Sequence, residues 1–96
     1  MIESFGDDAT ADLFDGRTTH RIKRFPTTVI RTAIRKLDML NAAYRLGDLR
    51  QPPGNHLEPL KGGLAGYYSI RVNDQWRVVF RWENNSAHDV SLTDYH

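Results

Sequence analysis

Two neighbouring segments in the second half of the chain alternate between apolar and polar residues, and this alternation constrains the fold more than any other feature. Every second residue is apolar: Tyr68, Ile70 and Val72 in the first segment, and Trp76, Val78, Phe80 and Trp82 in the second. Directly opposed side chains of an antiparallel pair point to the same face. Both apolar sets share one face only if Val72 lies opposite Trp76, which predicts a three-residue turn at 73–75. A two-residue turn would place Ile70 beside Arg77 and divide the core.

The same register predicts a polar second face for this hairpin. It carries Tyr67, Ser69, Arg71, Arg77 and Arg81. Arg71 and Arg77 are predicted to lie directly opposite each other, and like charges in that relation are destabilising. Two explanations are open: an anion binds between the two guanidinium groups, or the two side chains extend separately into water.

Shorter signals predict the remaining elements. Residues 7–15 are expected to form a short helix, with acidic residues at its start and Gly16 at its end. A longer helix is expected from about Thr28 to Leu46, because apolar residues recur at helical spacing and Gly47 follows. Strands are expected at 2–5, 56–60, 66–72, 76–83 and 89–93, with a proline-containing loop at 50–55 and a turn at 84–86. We therefore expect a single α+β domain over residues 1–96, with two N-terminal helices packed on a mostly antiparallel, twisted sheet of four or five strands.

Charge is unevenly distributed, although the formal net charge of the 96 residues is only +1. The segment 17–36 contains no acidic residue and these basic ones: Arg17, Arg21, Lys23, Arg24, Arg31, Arg35 and Lys36. Such a segment either binds a polyanion or is a solvated charged surface. The absence of cysteine excludes a disulfide framework and a thiolate metal site. Because no signal-peptide pattern and no membrane-length apolar run occur, we expect a cytosolic protein with no membrane partner.

The sequence contains no zinc spacing, phosphate-binding loop or nucleophile elbow, so candidate reactive groups are sought among dispersed polar residues. Those near strand ends are His56, Glu58, Lys61, Arg71, Arg77, Asp94, Tyr95 and His96. This set suits metal-free RNA cleavage, in which a ribose 2′-OH attacks the adjacent phosphate and needs a base, an acid and cations. The cations would be Lys61, Arg71 and Arg77. Glu58 or His96 would act as base or acid, and Tyr95 would stack on a base or orient the phosphate.

The second half of the chain also resembles a known family. The resemblance is carried by LEPLKG at 57–62, GYYSIRVNDQWRVVF at 66–80 and the terminal DYH at 94–96. These segments are similar to the Hig-type killer proteins of the RelE/ParE toxin superfamily, and residues 2–5 and 50–55 fit as well. The resemblance implies a RelE-like fold and ribosome-dependent cleavage of mRNA without a cofactor. It also implies neutralisation by a HigA-like helix-turn-helix antitoxin, through which the complex would bind operator DNA.

Residue roles follow by position from this resemblance. It implies that Lys61 and Arg77 are catalytic and that Asp94, Tyr95 and His96 form a terminal active-site triplet. The sequence departs from the family at Glu58, where some members have a histidine. His56 would lie on the same face of a regular strand and could replace it. The expected RNA-binding residues are Arg71, His56, Arg81, Arg17, Arg21, Lys23 and Arg24.

Two other functions are compatible with the same fold. One is a ParE-like toxin that inhibits DNA gyrase and has no nuclease activity. The other is a non-enzymatic nucleic-acid-binding module whose working surface is the basic helix at 28–46. The set of Lys61, Arg77 and His96 argues against a gyrase inhibitor, because a protein that only binds does not need such a cluster.

Overall fold

The computed structural model describes residues 1–94 and shows two α-helices packed on a four-stranded antiparallel sheet. The helices are α1 (Asp8–Asp15) and α2 (Thr27–Ala42). The strands are β1 (Glu58–Pro59), β2 (Tyr67–Arg71), β3 (Trp76–Glu83) and β4 (Ser86–Asp94), arranged in sequence order. Short 3₁₀ helices occur at His20–Arg24, Leu46–Arg50, Pro53–Asn55 and Gly62–Leu64. The predicted α+β class is confirmed.

The β2–β3 hairpin has the predicted register. Arg71 lies opposite Arg77, and the main-chain N–H of Val72 donates to the carbonyl oxygen of Trp76 at 2.9 Å. Asn73 closes the turn, because its Oδ1 accepts from the main-chain N–H groups of Gln75 and Trp76 at 2.9 and 2.8 Å. The apolar residues of both strands therefore share one face, as the alternation required.

Both helices cover that apolar face. Buried sheet residues include Ile70, Val78, Phe80, Val90 and Leu92, and α2 contributes Val29, Ala33, Leu37 and Leu40. The burial of this face explains why the register is so well determined. A slip of one residue would move the buried side chains of the shifted strand to the opposite face of the sheet. The opposite face of the sheet carries the polar residues of the hairpin.

Helix α1 matches its prediction closely. The side chain of Asp7 caps the helix by accepting the main-chain N–H of Thr10 at 2.7 Å. Gly16 ends it in a left-handed conformation, with φ of 74°. Thr10 itself is completely buried, and its Oγ1 accepts the main-chain N–H of Leu92 in β4 at 3.0 Å. The first helix is thereby joined to the last strand.

The predicted end of α2 at Leu46 is wrong, because the helix ends at Ala42. The main-chain N–H groups of Tyr44 and Arg45 both donate to Asp48 Oδ2 at 3.0 Å. The carboxylate takes the place of the carbonyl acceptors that a continuing helix would supply. Gly47 therefore lies within a 3₁₀ helix and does not terminate α2.

Three strand boundaries also differ from the prediction. Strand β1 is limited to Glu58–Pro59, and His56 lies outside it with φ of 43°. Strand β4 begins at Ser86, directly after Asn84 and Asn85, whose φ angles of 53° and 59° suit a two-residue hairpin turn. The predicted strand at 2–5 is reduced to two parallel bridges with β4. Within residues 1–94, no helix is long and apolar enough to cross a membrane.

Candidate functional site

The polar side of the sheet holds much of the predicted site. One row of paired residues crosses all four strands and consists of Glu58, Ser69, Val79 and Ser91. The next row, towards the β2–β3 turn, consists of Arg71, Arg77 and Thr93. We call these two rows the polar face. It brings together two of the predicted cations and the predicted carboxylate base.

Arg77 is held against the polar face by neutral oxygen atoms. Its Nε donates to Ser69 Oγ at 2.8 Å, and its Nη2 donates to the carbonyl oxygens of His56 and Ser69 at 2.5 and 3.4 Å. Ser69 is completely buried beneath it. None of the ion pairs among residues 1–94 involves Arg77. The guanidinium is therefore oriented by the protein while its positive charge is not cancelled.

Arg71, which lies opposite Arg77, has a carboxylate partner of its own. It forms an ion pair with Asp74 in the hairpin turn, whose side chain is 98% exposed. The two opposed guanidinium groups thus have separate protein partners, and the register does not require an anion between them. Exposed ion pairs of this kind contribute little stability, so a phosphate group can replace Asp74 at small cost.

The predicted residues around β1 are spread along the sheet. Glu58 is exposed on the polar face, opposite the serine that anchors Arg77. The strand-face argument for His56 is wrong, because its left-handed backbone lies outside β1 and it is its carbonyl that contacts Arg77. Lys61 follows Leu60, which pairs with Tyr67 near the opposite end of β2. Tyr67 lies opposite Arg81, and Arg81 is four residues, or about 13 Å along β3, from Arg77.

Asp94 lies at the end of β4 opposite Trp76. Its Oδ2 accepts from Gln75 Nε2 at 3.1 Å. Trp76 belongs to the apolar face, so the register places Asp94 on the helical side of the sheet rather than on the polar face with Arg77. The other two residues of the predicted triplet, Tyr95 and His96, lie outside the described residues.

The basic segment passes the same end of the sheet on its helical side. The Phe25 ring packs edge-to-face on Trp76, with 5.7 Å between centroids, and the Arg24 guanidinium lies 5.5 Å from the Phe25 ring centroid. Exposed cations of this segment are Arg17, Arg21, Lys23, Arg24, Arg31 and Arg35. The positive charge of Arg24 therefore lies near the end of the sheet where Asp94 pairs with Trp76.

Two predicted RNA-binding arginines are already paired with carboxylates. Arg21 Nη1 lies 3.2 Å from Asp12 Oδ2. The hydrogen bond from Thr19 to Asp12 and then the contact with Arg21 hold the pKa of Asp12 below its ordinary value, against the opposing effect of burial. Arg81 forms ion pairs with Glu83 and, at 3.3 Å, with Asp89. These two arginines offer less charge to RNA than their position in the sequence indicates.

Ser69, which contacts Arg77, and Lys36, which contacts Asn55 in the loop before His56, are absent from the residues predicted as a site. Lys36 is only 7% exposed, unlike the rest of the basic segment. Burial, with smaller contributions from Arg35 and Arg71, lowers its pKa. Its position was signalled by spacing, because Lys36 is three residues after Ala33 and therefore falls on the apolar stripe of α2. Among the described residues, no three His, Asp or Glu side chains are grouped so as to hold a metal ion.

The chain matches a family model described as the RelE-like toxin of the type II toxin–antitoxin system HigB, over residues 3–96. Toxin HigB-1 of Vibrio cholerae is 39% identical over 92 residues, covering 96% of this chain and 95% of the relative. Endoribonuclease HigB of Proteus vulgaris is 31% identical over 96 residues, covering all of both chains.

Two solved structures share the fold at low sequence identity. One is the YoeB–YefM complex from Staphylococcus aureus, with a TM-score of 0.61 and 18% identity over 100% of this chain and 98% of the other. The other is a YafQ variant from Escherichia coli, with a TM-score of 0.64 and 13% identity over 98% and 93% of the two chains. At these identities the similarity shows the RelE-like architecture alone.

Proposed function

The chain belongs to the HigB family of RelE-like toxins of type II toxin–antitoxin systems, and on this premise we propose that it is an endoribonuclease that cuts mRNA on the ribosome. The observation that carries the proposal is the arrangement of Arg77, whose guanidinium is oriented by neutral oxygens with its charge uncancelled. A relative that is 31% identical along the whole chain is named an endoribonuclease. A protein that only occupies a partner's surface has no need of a preoriented, uncompensated arginine.

Cleavage would use the ribose 2′-OH as the nucleophile. The 2′ oxygen attacks the adjacent phosphorus and expels the 5′ oxygen of the next nucleotide, so the products carry a 2′,3′-cyclic phosphate and a 5′-OH. Arg77 would stabilise the negative charge that develops on the phosphate oxygens. Its Nε and Nη2 bind protein oxygens, so Nη1 is the group presented to the phosphate. Arg71 would add a second cation after exchanging Asp74 for phosphate.

The proton transfers are assigned to Glu58 and His96. Glu58 is exposed on the polar face beside Ser69 and would accept the 2′-OH proton. His96 is the alternative base, or the acid that protonates the leaving oxygen. Tyr95 would stack on a base, and Asp94 would orient its neighbours in the terminal triplet. Lys61 would bind a more distant part of the RNA, because its end of β2 lies about 13 Å along the sheet from Arg77.

RNA beyond the scissile phosphate would follow the exposed positive charge. The path we propose runs from the polar face past the end of β4 to Arg17, Lys23 and Arg24, which are exposed. Arg21 and Arg81 would take part only by exchanging their carboxylate partners for phosphates. His56 is exposed beside Arg77 and would contact the RNA with its ring.

We also propose a dedicated antitoxin for this chain. The family is that of type II toxin–antitoxin systems, and a toxin of the same fold has been solved in complex with its antitoxin YefM. The partner expected here is a HigA-like helix-turn-helix protein, which would carry the complex to operator DNA. The toxin would act in the cytoplasm, where its ribosomal substrate is found.

The class of activity can be tested by mapping 5′ ends in a reconstituted translation reaction. The reporter mRNA is supplied with and without a start codon, and the protein is wild type, Arg77→Ala or Arg31→Ala. Arg31 is exposed on α2, away from the polar face, and serves as the matched control. We expect cuts only in the translated message, with a loss of about 100-fold or more for Arg77→Ala and none for Arg31→Ala.

Three results would contradict the proposal. Undiminished cleavage by a folded Arg77→Ala variant would remove Arg77 from the mechanism. An intact message combined with inhibition of DNA gyrase would identify a ParE-like toxin. Salt-dependent RNA binding without cleavage, insensitive to loss of Lys61 and Arg77, would identify a non-enzymatic module.

A further inference from the structure

A buried polar contact joins helix α2 to the loop that precedes β1. Lys36 Nζ donates to Asn55 Oδ1 at 2.5 Å, and Asn55 is completely buried. None of the ion pairs formed within residues 1–94 involves Lys36, so its acceptor is a neutral amide. A buried ammonium group without a counter-ion is unfavourable. Its presence at a position of the apolar stripe indicates a role other than stability.

Asn55 organises the whole loop with its side-chain amide. Its Nδ2 donates to the carbonyl oxygens of Leu49 and Gln51 at 3.1 and 3.2 Å. Its Oδ1 is occupied by Lys36, so the amide oxygen and nitrogen are both bound. The main-chain N–H of Asn55 also donates to the carbonyl of Pro52 at 2.9 Å. Residues 49–55 are therefore closed around a single buried side chain.

The residue that follows this loop supplies an acceptor to Arg77. His56 adopts a left-handed backbone with φ of 43°, and its N–H donates to the carbonyl of Pro53 at 3.1 Å. Its own carbonyl accepts from Arg77 Nη2. A change in the loop would displace or rotate this carbonyl, because only one peptide unit separates it from Asn55.

We propose that Lys36 and Asn55 are positioning residues, which fix the orientation of the Arg77 guanidinium through the loop 49–56. Both side chains are buried, so neither contacts mRNA directly. The expected effect on cleavage rests on the proposed function, because the orientation of Arg77 affects the rate only if Arg77 binds the scissile phosphate. The orientation itself can be measured without any cleavage.

Nitrogen-15 NMR of the free toxin measures the orientation directly. The Arg77 Nε–H group is hydrogen-bonded to Ser69 in the wild type and is expected to give a slowly exchanging signal, assigned by its absence in Arg77→Lys. We expect this signal to broaden or shift in Asn55→Ala and in Lys36→Met. Leu49→Val is the control, because it trims a buried side chain of the same loop and leaves the hydrogen bonds of Asn55 unchanged.

Single-turnover cleavage on ribosomes then measures the consequence. We expect Asn55→Ala to lower the maximal single-turnover rate constant at least tenfold, with the half-saturating ribosome concentration within about twofold of the wild type. In the Arg77→Ala background the same substitution is expected to cause no further loss, because the group that it positions is gone. A merely structural role would lower activity by the same factor in both backgrounds and would raise the fraction of unfolded protein.

The outcomes separate the two proposals. An unchanged Arg77 signal in folded Asn55→Ala and Lys36→Met overturns the positioning role, whatever the cleavage rates are. Lack of cleavage by the wild type and by Leu49→Val overturns the proposed function, while the NMR result still decides the positioning role. If Asn55→Ala does not fold, Lys36→Met carries the test, since methionine fills a similar volume without donating to Asn55.

Discussion

Substitution of Ser69 by alanine tests how the polar face prepares Arg77. The Ser69 hydroxyl is completely buried and accepts from Arg77 Nε at 2.8 Å. A hydrogen bond to a charged group contributes about 1.5–3 kcal/mol. Two other contacts of Arg77, to the carbonyls of His56 and Ser69, remain in the variant, which favours the lower limit. A loss of about 1.4 kcal/mol corresponds to a tenfold lower rate.

The fold should tolerate this change better than the reaction does. Alanine leaves the Arg77 Nε–H group without its acceptor, but Arg77 is only partly buried and keeps its two carbonyl contacts. We therefore expect the free energy of unfolding to fall by only about 1 kcal/mol. For a domain of this size that shift lowers Tm by about 4–8 °C. Ser91→Ala is the matched control, because it lies in the same row of the sheet and its hydroxyl is hydrogen-bonded to Thr93, at 3.3 Å, and not to Arg77.

Single-turnover cleavage of a ribosome-bound mRNA, together with urea unfolding, measures both effects. We expect Ser69→Ala to lower the single-turnover rate constant about tenfold with little change in the half-saturating concentration, and Ser91→Ala to match the wild type. A fully active, folded Ser69→Ala variant beside an inactive Arg77→Ala variant would refute the reasoning. It would show that Arg77 acts without the orientation seen on the polar face.

Three further predictions address the rest of the molecule. Thr10→Val removes the hydroxyl that accepts the main-chain N–H of Leu92 in β4 at 3.0 Å. Urea unfolding should therefore show a free energy of unfolding that is lower by about 1–3 kcal/mol. A decrease of less than about 0.5 kcal/mol would contradict this prediction. Thr19→Val removes the hydrogen bond that contributes most to the lowered pKa of Asp12. Because the folded pKa lies below the unfolded one, that contribution to stability exists at neutral pH and is lost as the pH falls through the folded pKa. The difference in free energy of unfolding between Thr19→Val and the wild type should therefore become smaller below about pH 4. A difference that does not change with pH would contradict this prediction. The double substitution of Lys23 and Arg24 by alanine removes two exposed cations. It should weaken binding to the ribosome and reduce the slope of log K against log salt concentration by about 1.4, taking 0.7 for each single-stranded RNA contact; an unchanged slope would exclude these residues from the interface.

Local patterns in the sequence determined the architecture. The alternation of the central hairpin defined its register, because only one pairing buries both apolar sets on one face. Asp7 and Gly16 marked the ends of α1 through side-chain capping and a left-handed glycine, which are interactions within a few residues. The resemblance of the sequence to Hig-type toxins supplied the family, and the comparisons confirmed it.

Element ends were predicted less well wherever a side chain competed with the regular backbone pattern. Helix α2 stops early because the Asp48 carboxylate binds the two N–H groups of Tyr44 and Arg45. Strand β1 is short because the backbone at His56 is left-handed, a conformation that the residue type does not predict. Such choices depend on the energies of alternative hydrogen bonds, which hydrophobic periodicity does not report.

Tertiary structure alone decided what each charge does. Helical spacing placed Lys36 on the apolar stripe of α2, but only packing gave it Asn55 of a distant loop as its partner. The hairpin register placed Arg71 and Arg77 opposite each other, but only the three-dimensional arrangement turned one to Asp74 and the other to Ser69 and His56. The physical reason is the range of the interactions: alternation and capping act between near neighbours, whereas the partner of a long charged side chain is chosen from whatever the fold brings within about 3 Å.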